Sequence, residues 1–316
     1  MSKDVAMSSP ADRNASTDGV IVIDHLVKTF GSVRAVDDLS FTVRPGRVTG
    51  FLGPNGAGKT TTLRILLGLV APTAGTATIG GTTYGQVTPP MRAVGAALEA
   101  ASFHPGRSAL DHLRVYAPQA GVSDARCREV LAFVGLDTVA GRRAGGFSLG
   151  MRQRLALATT LLGDPPVLLL DEPANGLDPA GMAWLRRLLT DWAAQGRTVL
   201  FSSHVLTEVE FVADRIVIID HGRVVREGAA EQLYGSERAV VVRAEDCESL
   251  KRLARDEGWT FRRDGADRLV IHGVSSAVVG SAVAGAGIAL TELSSETSTR
   301  QLEDLFLDLT TAEDHA

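Results

Sequence analysis

Residues 53–61 read Gly53-Pro54-Asn55-Gly56-Ala57-Gly58-Lys59-Thr60-Thr61, which matches the pattern G-x-x-x-x-G-K-[ST]. An apolar run at 48–52 precedes this loop and leucines at helical spacing follow it, so the order strand, loop, helix is predicted. Glycines let such a loop fold its N–H groups around an anion, and the dipole of the next helix adds positive charge. Lys59 is expected to reach the β- and γ-phosphates of a nucleotide and the Thr60 hydroxyl to bind Mg²⁺. The alternative is a chance glycine-rich turn, and the strand–loop–helix context argues against it.

A second pattern is the apolar run at 167–170, followed at once by Asp171 and Glu172. A continuous apolar run between turn residues indicates a strand buried on both faces. Open α/β sheets bind ligands at the carboxyl edge of their strands, so both carboxylates are expected there. Asp171 is expected to hold Mg²⁺ and Glu172 to polarise the attacking water. Such a run is often only a strand that meets a polar turn, but the phosphate loop earlier in the chain favours the functional interpretation.

Strand and helix patterns alternate along residues 20–230, which predicts an α/β fold of the P-loop NTPase class with a largely parallel sheet. A helical subdomain is predicted at about 100–162. Residues 236–316 are predicted to form a small α+β appendage with the order strand, helix, two strands, helix, strand, helix. Residues 1–19 lack an apolar core and are expected to be a disordered tail rather than a secretion signal.

Charge and composition limit the function classes. The 316 residues include 32 Lys+Arg and 37 Asp+Glu, for a formal net charge of −5. Residues 236–316 hold nine basic and 15 acidic residues, so this region carries −6 and the remainder +1. An acidic region repels nucleic acid, so no nucleic-acid partner is expected. Cys127 and Cys247 are isolated, which argues against a disulfide framework, so an intracellular chain is expected. The sequence contains no run of 18 apolar residues, so no membrane span is predicted.

A third pattern lies just before the buried strand, where Gly146-Phe147-Ser148-Leu149-Gly150-Met151 leads into an apolar helical run. Ser148 is a suitable helix N-cap, and from spacing alone a capped helix is the simpler interpretation. Taken with the phosphate loop and the carboxylate pair, however, the chain resembles the ATP-binding subunit of an ABC transporter over about residues 20–230. That family has Leu-Ser-Gly-Gly-Gln where this chain has residues 147–151. Ser148 and Gly150 match, whereas one glycine and the glutamine are replaced.

The resemblance implies further site residues. Residues 174–178 look like the family's D-loop, with Asp178 at its aspartate, and His204 stands where the family has a switch histidine near the γ-phosphate. Phe30 stands where an aromatic ring stacks on adenine, although an apolar ring at a strand end can also be structural. Glu99 replaces the Q-loop glutamine; a carboxylate can still bind Mg²⁺ but cannot donate a hydrogen bond while ionised, and a solvated loop residue is the alternative.

ATP and Mg²⁺ are the implied cofactors, and each has an implied set of residues. Glu172 and His204 are the implied catalytic residues. The implied metal ligands are Thr60, Asp171 and Glu99. The implied nucleotide contacts are Phe30, Gly53, Pro54, Asn55, Gly56, Ala57, Gly58, Lys59, Thr60, Thr61, Ser148, Gly150 and Asp178.

In this family two subunits pair head to tail, each offering its signature to the other's ATP. The resemblance therefore implies a homodimer that hydrolyses ATP at the cytoplasmic face of the cell membrane and drives a separate transmembrane permease subunit. Glu99, residues 103–106 and residues 302–307 are similar to exporters of the bacitracin, lantibiotic and daunorubicin type. Export of a drug, a peptide antibiotic or a lipid-like compound is the function this implies.

Two rival functions and two roles for the appendage are open at this point. One rival is a soluble ABC-superfamily ATPase that acts on nucleic acid or ribosomes, which usually carries coiled-coil insertions, zinc modules or a second nucleotide domain. The other is a P-loop kinase or GTPase, which would need no signature segment. Residues 236–316 are expected to be regulatory or to stabilise the dimer, with a small-ligand sensor as the alternative.

Overall fold

The computed structural model describes residues 19–98, 103–233, 239–244, 246–265 and 267–296. The chain divides into two compact units, Met1–Glu227 and Gly228–Ala316. Glu99 and the last helix predicted for the appendage lie outside the described residues.

Strands and helices alternate through the first unit. The strands are β1 (Ile21–Phe30), β2 (Val33–Val43), β3 (Arg47–Leu52), β4 (Ala74–Ile79), β5 (Val94–Ala97), β6 (Val167–Leu170), β7 (Thr198–Ser203), β8 (Arg215–Asp220) and β9 (Arg223–Ala229), the last of which runs two residues past the division. The helices are α1 (Lys59–Leu66), α2 (Pro90–Ala93), α3 (Ala109–Ala120), α4 (Asp124–Phe133), α5 (Leu149–Leu161), α6 (Pro179–Ala194) and α7 (Leu206–Glu210).

A six-stranded sheet with the order β5-β6-β7-β3-β8-β9 forms the centre of the first unit within the described ranges. The pairs β5/β6, β6/β7, β7/β3 and β3/β8 are parallel. All four side chains of β6 are buried, as the continuous apolar run predicts for a strand covered on both faces. Parallel strands place their carboxyl ends on one edge, so the residues after β3, β6 and β7 come together there. The predicted α/β fold with a largely parallel sheet is confirmed.

A separate antiparallel sheet, with the order β2-β1-β4, packs beside the central one. Its inward side chains, such as Ile21, Leu39 and Val43, share a core with Leu63 of α1 and Phe51 of β3. The sequence predicts strands here but does not separate the two sheets. The reason is that alternation of apolar residues shows that a strand is half-buried without showing which sheet it joins.

Helices α3, α4 and α5 pack on one another between β5 and β6 in the chain, where a helical subdomain is predicted. Helix α3 is capped at both ends, since Ser108 accepts a hydrogen bond from Asp111 N–H, and Gly121 ends the helix in the left-handed conformation. Every helix within the described ranges is too short or too polar to cross a bilayer.

The second unit contains α8 (Ala230–Leu233), β10 (Ala239–Ala244), α9 (Cys247–Asp256), β11 (Thr260–Arg263), β12 (Arg268–His272), α10 (Ser276–Gly285) and β13 (Leu290–Glu296). Its sheet has the order β11-β12-β10-β13, and all three pairs are antiparallel. Leu250 of α9 and Val279 of α10 pack on Val240, Val242 and Ile271 of the sheet. The described elements follow the predicted order from β10 to β13.

The central sheet supplies a test of stability. Leu169→Ala in β6 should lower the free energy of unfolding by about 2–5 kcal/mol, because Leu169 is fully buried and a cavity would remain. Leu69→Ala is the control, since Leu69 is 65% exposed and its loss should change stability by less than about 0.5 kcal/mol. Urea unfolding of both variants measures the difference; similar values for the two would contradict the burial of β6.

Candidate functional site

The phosphate loop joins β3 to α1, and two of its glycines have no room for a side chain. Gly58 has a φ of +103°, and a Cβ there would lie 2.5 Å from the Ala35 carbonyl oxygen. A Cβ on Gly53 would lie 2.4 Å from the Ile219 carbonyl oxygen. The loop backbone can therefore adopt this conformation only with glycine at these two positions. Asn55 and Gly56 at the tip are exposed, while Ala57 is buried.

Lys59 is the cation of the loop, and its side chain is 6% exposed. Its Nζ donates hydrogen bonds to the carbonyl oxygens of Gly53 at 2.5 Å and Pro54 at 2.9 Å. It also lies 3.7 Å from Oε1 of Glu172. A buried ammonium needs such acceptors, and the oxygens of a phosphate can replace them. The geometry therefore gives Lys59 the surroundings of a phosphate-binding group.

Asp171 follows β6 and meets hydroxyl groups on two sides. Thr60 Oγ1 donates a hydrogen bond to Oδ2 of Asp171 at 2.6 Å, and Ser202 Oγ donates to Oδ1. Thr60 and Asp171, both predicted to hold Mg²⁺, are thus in direct contact. Hydroxyl and carboxylate oxygens are donors that suit Mg²⁺, which is usually held by one or two protein ligands together with water and substrate phosphates. No cluster of three His, Cys, Asp or Glu side chains suited to a metal occurs in the described part of the chain.

Glu172 and His204 form a hydrogen-bonded pair at the same edge. Nδ1 of His204 lies 2.8 Å from Oε2 of Glu172. Glu172 has a φ of +48°, and its N–H donates to Ser202 Oγ at 3.0 Å. A non-glycine residue in the left-handed region is costly, and such residues concentrate at functional sites. The carboxylate is positioned to accept a proton, and the histidine is positioned to orient it.

Ser202 is a site residue that the sequence analysis does not identify. It is fully buried near the end of β7 and touches both Asp171 and Glu172. The register pairs Leu170 with Phe201, so the next residues along the two strands, Asp171 and Ser202, are neighbours. Aligning the two apolar runs as parallel neighbours would have provided the signal.

The signature and the D-loop form a second group of residues. Ser148 caps α5 and accepts a hydrogen bond from Met151 N–H at 3.3 Å, and Asp178 caps α6 and accepts from Gly181 N–H at 2.7 Å. A Cβ on Gly176 would lie 2.2 Å from Cδ2 of Leu149. Leu149 stands where a glycine is expected in the signature, and its side chain packs on the D-loop instead.

Gly150 lies against the same loop, since a Cβ there would be 3.1 Å from the Gly176 carbonyl oxygen.

Phe30, at the end of β1, is 49% exposed, and the Lys28 ammonium lies 4.7 Å from its ring centroid. An exposed ring is a condition for the predicted stacking on adenine, which stays a prediction. Thr61 is half-buried on α1, next to the buried Thr62.

Comparison with known sequences gives a consistent family. The sequence model of the ABC transporter family matches residues 36–175, and a domain of unknown function, DUF8746, matches 238–302. The Nod factor export ATP-binding protein I of Paraburkholderia xenovorans is 40% identical over 225 residues, which cover 70% of this chain and 74% of that protein. The bacitracin transport ATP-binding protein BcrA of Bacillus licheniformis is 41% identical over 66% of this chain and 69% of its own length.

Solved structures are similar over the same part of the chain. An ATP-binding subunit of an ABC transporter matches with a TM-score of 0.62 and 27% identity, covering 68% of this chain and 91% of that one. A dimeric bacterial ABC transporter cassette matches with a TM-score of 0.59 and 25% identity, covering 66% of this chain and 98% of that one.

Lys59→Ala should weaken binding of MgATP by about 10–100-fold, because charge-assisted hydrogen bonds contribute about 1.5–3 kcal/mol. Isothermal titration of the purified chain with MgATP measures the change. Lys251→Ala is the control for loss of a lysine, since Lys251 pairs with Glu248 on α9 of the second unit, outside the proposed nucleotide contacts. An unchanged dissociation constant for Lys59→Ala would contradict the phosphate-binding role.

Ser202→Ala should slow ATP hydrolysis by about tenfold or more while changing ATP affinity little. It removes the hydroxyl that donates to the Asp171 carboxylate and accepts from the Glu172 N–H, and it leaves the contacts of Lys59 intact. Steady-state hydrolysis and titration measure the two quantities. Thr160→Ala controls for loss of a buried hydroxyl, since Thr160 Oγ1 donates only to the Ala156 carbonyl in its own helix. Equal rates for wild type and Ser202→Ala would show that Ser202 is only a packing residue.

Proposed function

The chain belongs to the ATP-binding subunits of the ABC transporter family and hydrolyses ATP, and we propose that it does so with Lys59, Asp171, Glu172 and His204 to drive export through a separate membrane subunit. The observation that carries this proposal is the meeting of the phosphate loop, the Thr60–Asp171 contact and the Glu172–His204 pair at one sheet edge. Nothing in that arrangement requires a covalent intermediate. It suits transfer of a phosphoryl group to water.

Each side chain has a proposed role in hydrolysis. Lys59 leaves the carbonyls of Gly53 and Pro54 to bind the β- and γ-phosphates, and loop N–H groups bind their other oxygens. Thr60 and Asp171 would hold Mg²⁺, which when bound neutralises charge on the phosphate oxygens. Glu172 takes the proton of the attacking water, and His204 keeps the carboxylate in place through its Nδ1 contact.

Glu99 is proposed as a further metal ligand in the Q-loop position, and Phe30 as the platform for adenine. The exposed ring of Phe30 supports the second role. Ser148 and Gly150 are proposed to contact the γ-phosphate held by the other subunit, and Asp178 to lie in the adjoining D-loop.

A head-to-tail homodimer follows from these assignments. The Ser148 hydroxyl and the Asp178 carboxylate cap their own helices rather than joining the Glu172 group. The N-terminus of α5 offers free N–H groups to an anion from outside the chain. ATP between two subunits would hold them together, and hydrolysis would remove the bridging charge, which gives a two-state element. The matched cassette described as dimeric supports this arrangement.

A groove on the first unit is the proposed docking site for the membrane subunit. It encloses about 490 Å³ between the central core and the helical subdomain, and its lining includes Leu67, Leu69, Tyr84, Phe103, His112 and Tyr116. Leu69 is 65% exposed and extends the apolar lining to the surface, and contiguous exposed apolar surface is common at interaction sites. A partner segment with an apolar face fits this lining.

His112 gives the groove a neutral polar group. Its ring makes edge contacts with Phe103 and Tyr116, each with centroids 5.2 Å apart. Burial, with the nearby charge of Arg107, lowers the pKa of His112 to about 4, so the ring is uncharged at neutral pH. Docking therefore meets no cationic histidine in the apolar wall.

The cargo is proposed to be a drug, a peptide antibiotic or a lipid-like compound that leaves the cell. The relatives named for bacitracin transport and Nod factor export support that class. The chain is proposed to act at the cytoplasmic face of the membrane, bound to its permease. The acidic charge of residues 236–316 argues against a ribosome or nucleic-acid partner.

Residues 20–230 are proposed as the ATPase domain and 236–316 as an appendage that is regulatory or stabilises the dimer. The appendage has its own apolar core and an antiparallel sheet, which is the organisation of an independent domain.

Glu172→Gln is the experiment that tests this function. The variant should bind MgATP, hydrolyse it at least about 100-fold more slowly because the general base is lost, and accumulate as a dimer. Sedimentation with ATP, with ADP and without nucleotide measures the dimer. Lys59→Ala combined with Glu172→Gln is the control and should remain monomeric with ATP. A Glu172→Gln chain that stays monomeric with ATP, or hydrolyses it at the wild-type rate, would overturn the proposal.

A further inference from the structure

The outer side of the phosphate loop rests on the turn between β8 and β9. The Ala57 carbonyl accepts a hydrogen bond from Gly222 N–H at 3.0 Å, and the Gly222 carbonyl accepts one from Asp37 N–H at 2.9 Å. A Cβ on Gly222 would lie 2.8 Å from the Val36 Cα. The turn thus fills the space between the loop and β2 and links them through backbone hydrogen bonds.

The Asp37 carboxylate fastens this turn to β2. Its Oδ2 lies 2.6 Å from Nε of Arg223 and 2.5 Å from Nη2 of the same guanidinium. Asp37 is 9% exposed, and Arg223 directly follows Gly222. Arg34 also reaches the carboxylate, with its Nε 2.7 Å from Oδ1, but in a geometry that is an ion pair rather than a hydrogen bond. Arg223 therefore joins the turn to β2, whereas Arg34 belongs to β2 itself and connects Asp37 to no other element.

We propose that Asp37 and Arg223 are positioning residues for the nucleotide: their ion pair holds the β8–β9 turn, and the turn holds Ala57 so that the loop N–H groups stay directed at the phosphates. A phosphate loop binds its ligand through N–H groups on its inner side, so the carbonyls on its outer side need partners of their own. Gly222 N–H is that partner for Ala57. The antiparallel sheet thereby contributes to phosphate binding although neither side chain touches the ligand.

The test measures MgADP binding to the full-length chain, which requires neither a dimer nor a membrane subunit. Arg223→Ala and Asp37→Asn should each raise the dissociation constant by about 3–30-fold. The dissociation constant of the double variant should be no higher than that of the weaker-binding single variant, because both substitutions remove the same ion pair. Arg223→Lys keeps the charge with one donor and should give an intermediate value. At saturating ATP, kcat should change less than KM, because Glu172 and His204 follow other strands.

Arg34→Ala is the matched control, since it removes an arginine from the same carboxylate without releasing the turn. Its dissociation constant should stay within about twofold of wild type, because Arg34 makes no hydrogen bond to the Asp37 carboxylate and belongs to the same strand as Asp37. Melting temperatures check that every variant is folded at the binding temperature. Equal MgADP dissociation constants for Arg223→Ala and Arg34→Ala would overturn the inference. If Arg223→Ala does not fold, a wild-type dissociation constant for Arg223→Lys would overturn it. A wild-type chain that binds no MgADP would instead contradict the proposed function.

Discussion

The contact between Asp171 and two hydroxyl groups determines how the rest of the site is arranged. Thr60 belongs to the helix after the phosphate loop, Asp171 to the end of β6 and Ser202 to β7. The Asp171 carboxylate therefore connects three elements of the α/β unit, namely α1, the end of β6 and β7. A buried carboxylate without such donors would be costly, so the loop, the strand and the next strand must keep their mutual positions for the charge to be tolerated. The Glu172–His204 pair then sits beside it because each of its members follows one of the two strands.

The parallel sheet makes this meeting possible. Residues that are more than 100 positions apart in the sequence become neighbours because β3, β6 and β7 all end at one edge. The antiparallel sheet adds a second support from the other side of the loop, through Ala35 at Gly58 and through the β8–β9 turn at Ala57. The backbone of the phosphate loop is thus supported by two sheets, although the motif itself is nine residues long.

Much of this arrangement could be predicted from the sequence, and particular residues show why the remainder could not. Local patterns can be recognised in the sequence because their residues are close together in the chain. They include the phosphate loop, the Asp171-Glu172 pair and the β-to-α alternation. The sequence does not single out Ser202, because a serine in a strand has no distinctive sequence neighbours and its contacts depend on strand register. The division into two sheets was missed because β1, β2 and β4 alternate as any half-buried strand does. In the sequence Leu149 is only a departure from the signature, because its contact with Gly176 joins residues that are 27 positions apart.

That contact between Leu149 and Gly176 restricts how this protein can be altered. The leucine occupies the volume that any side chain at 176 would need, and Gly176 also has a φ of +77°. Restoring glycine at 149 alone would leave a gap above the D-loop, and enlarging 176 alone would collide with the leucine. A substitution at either position therefore affects the packing of the other, and chimeras that exchange signature segments with other cassettes need to carry both segments as one block.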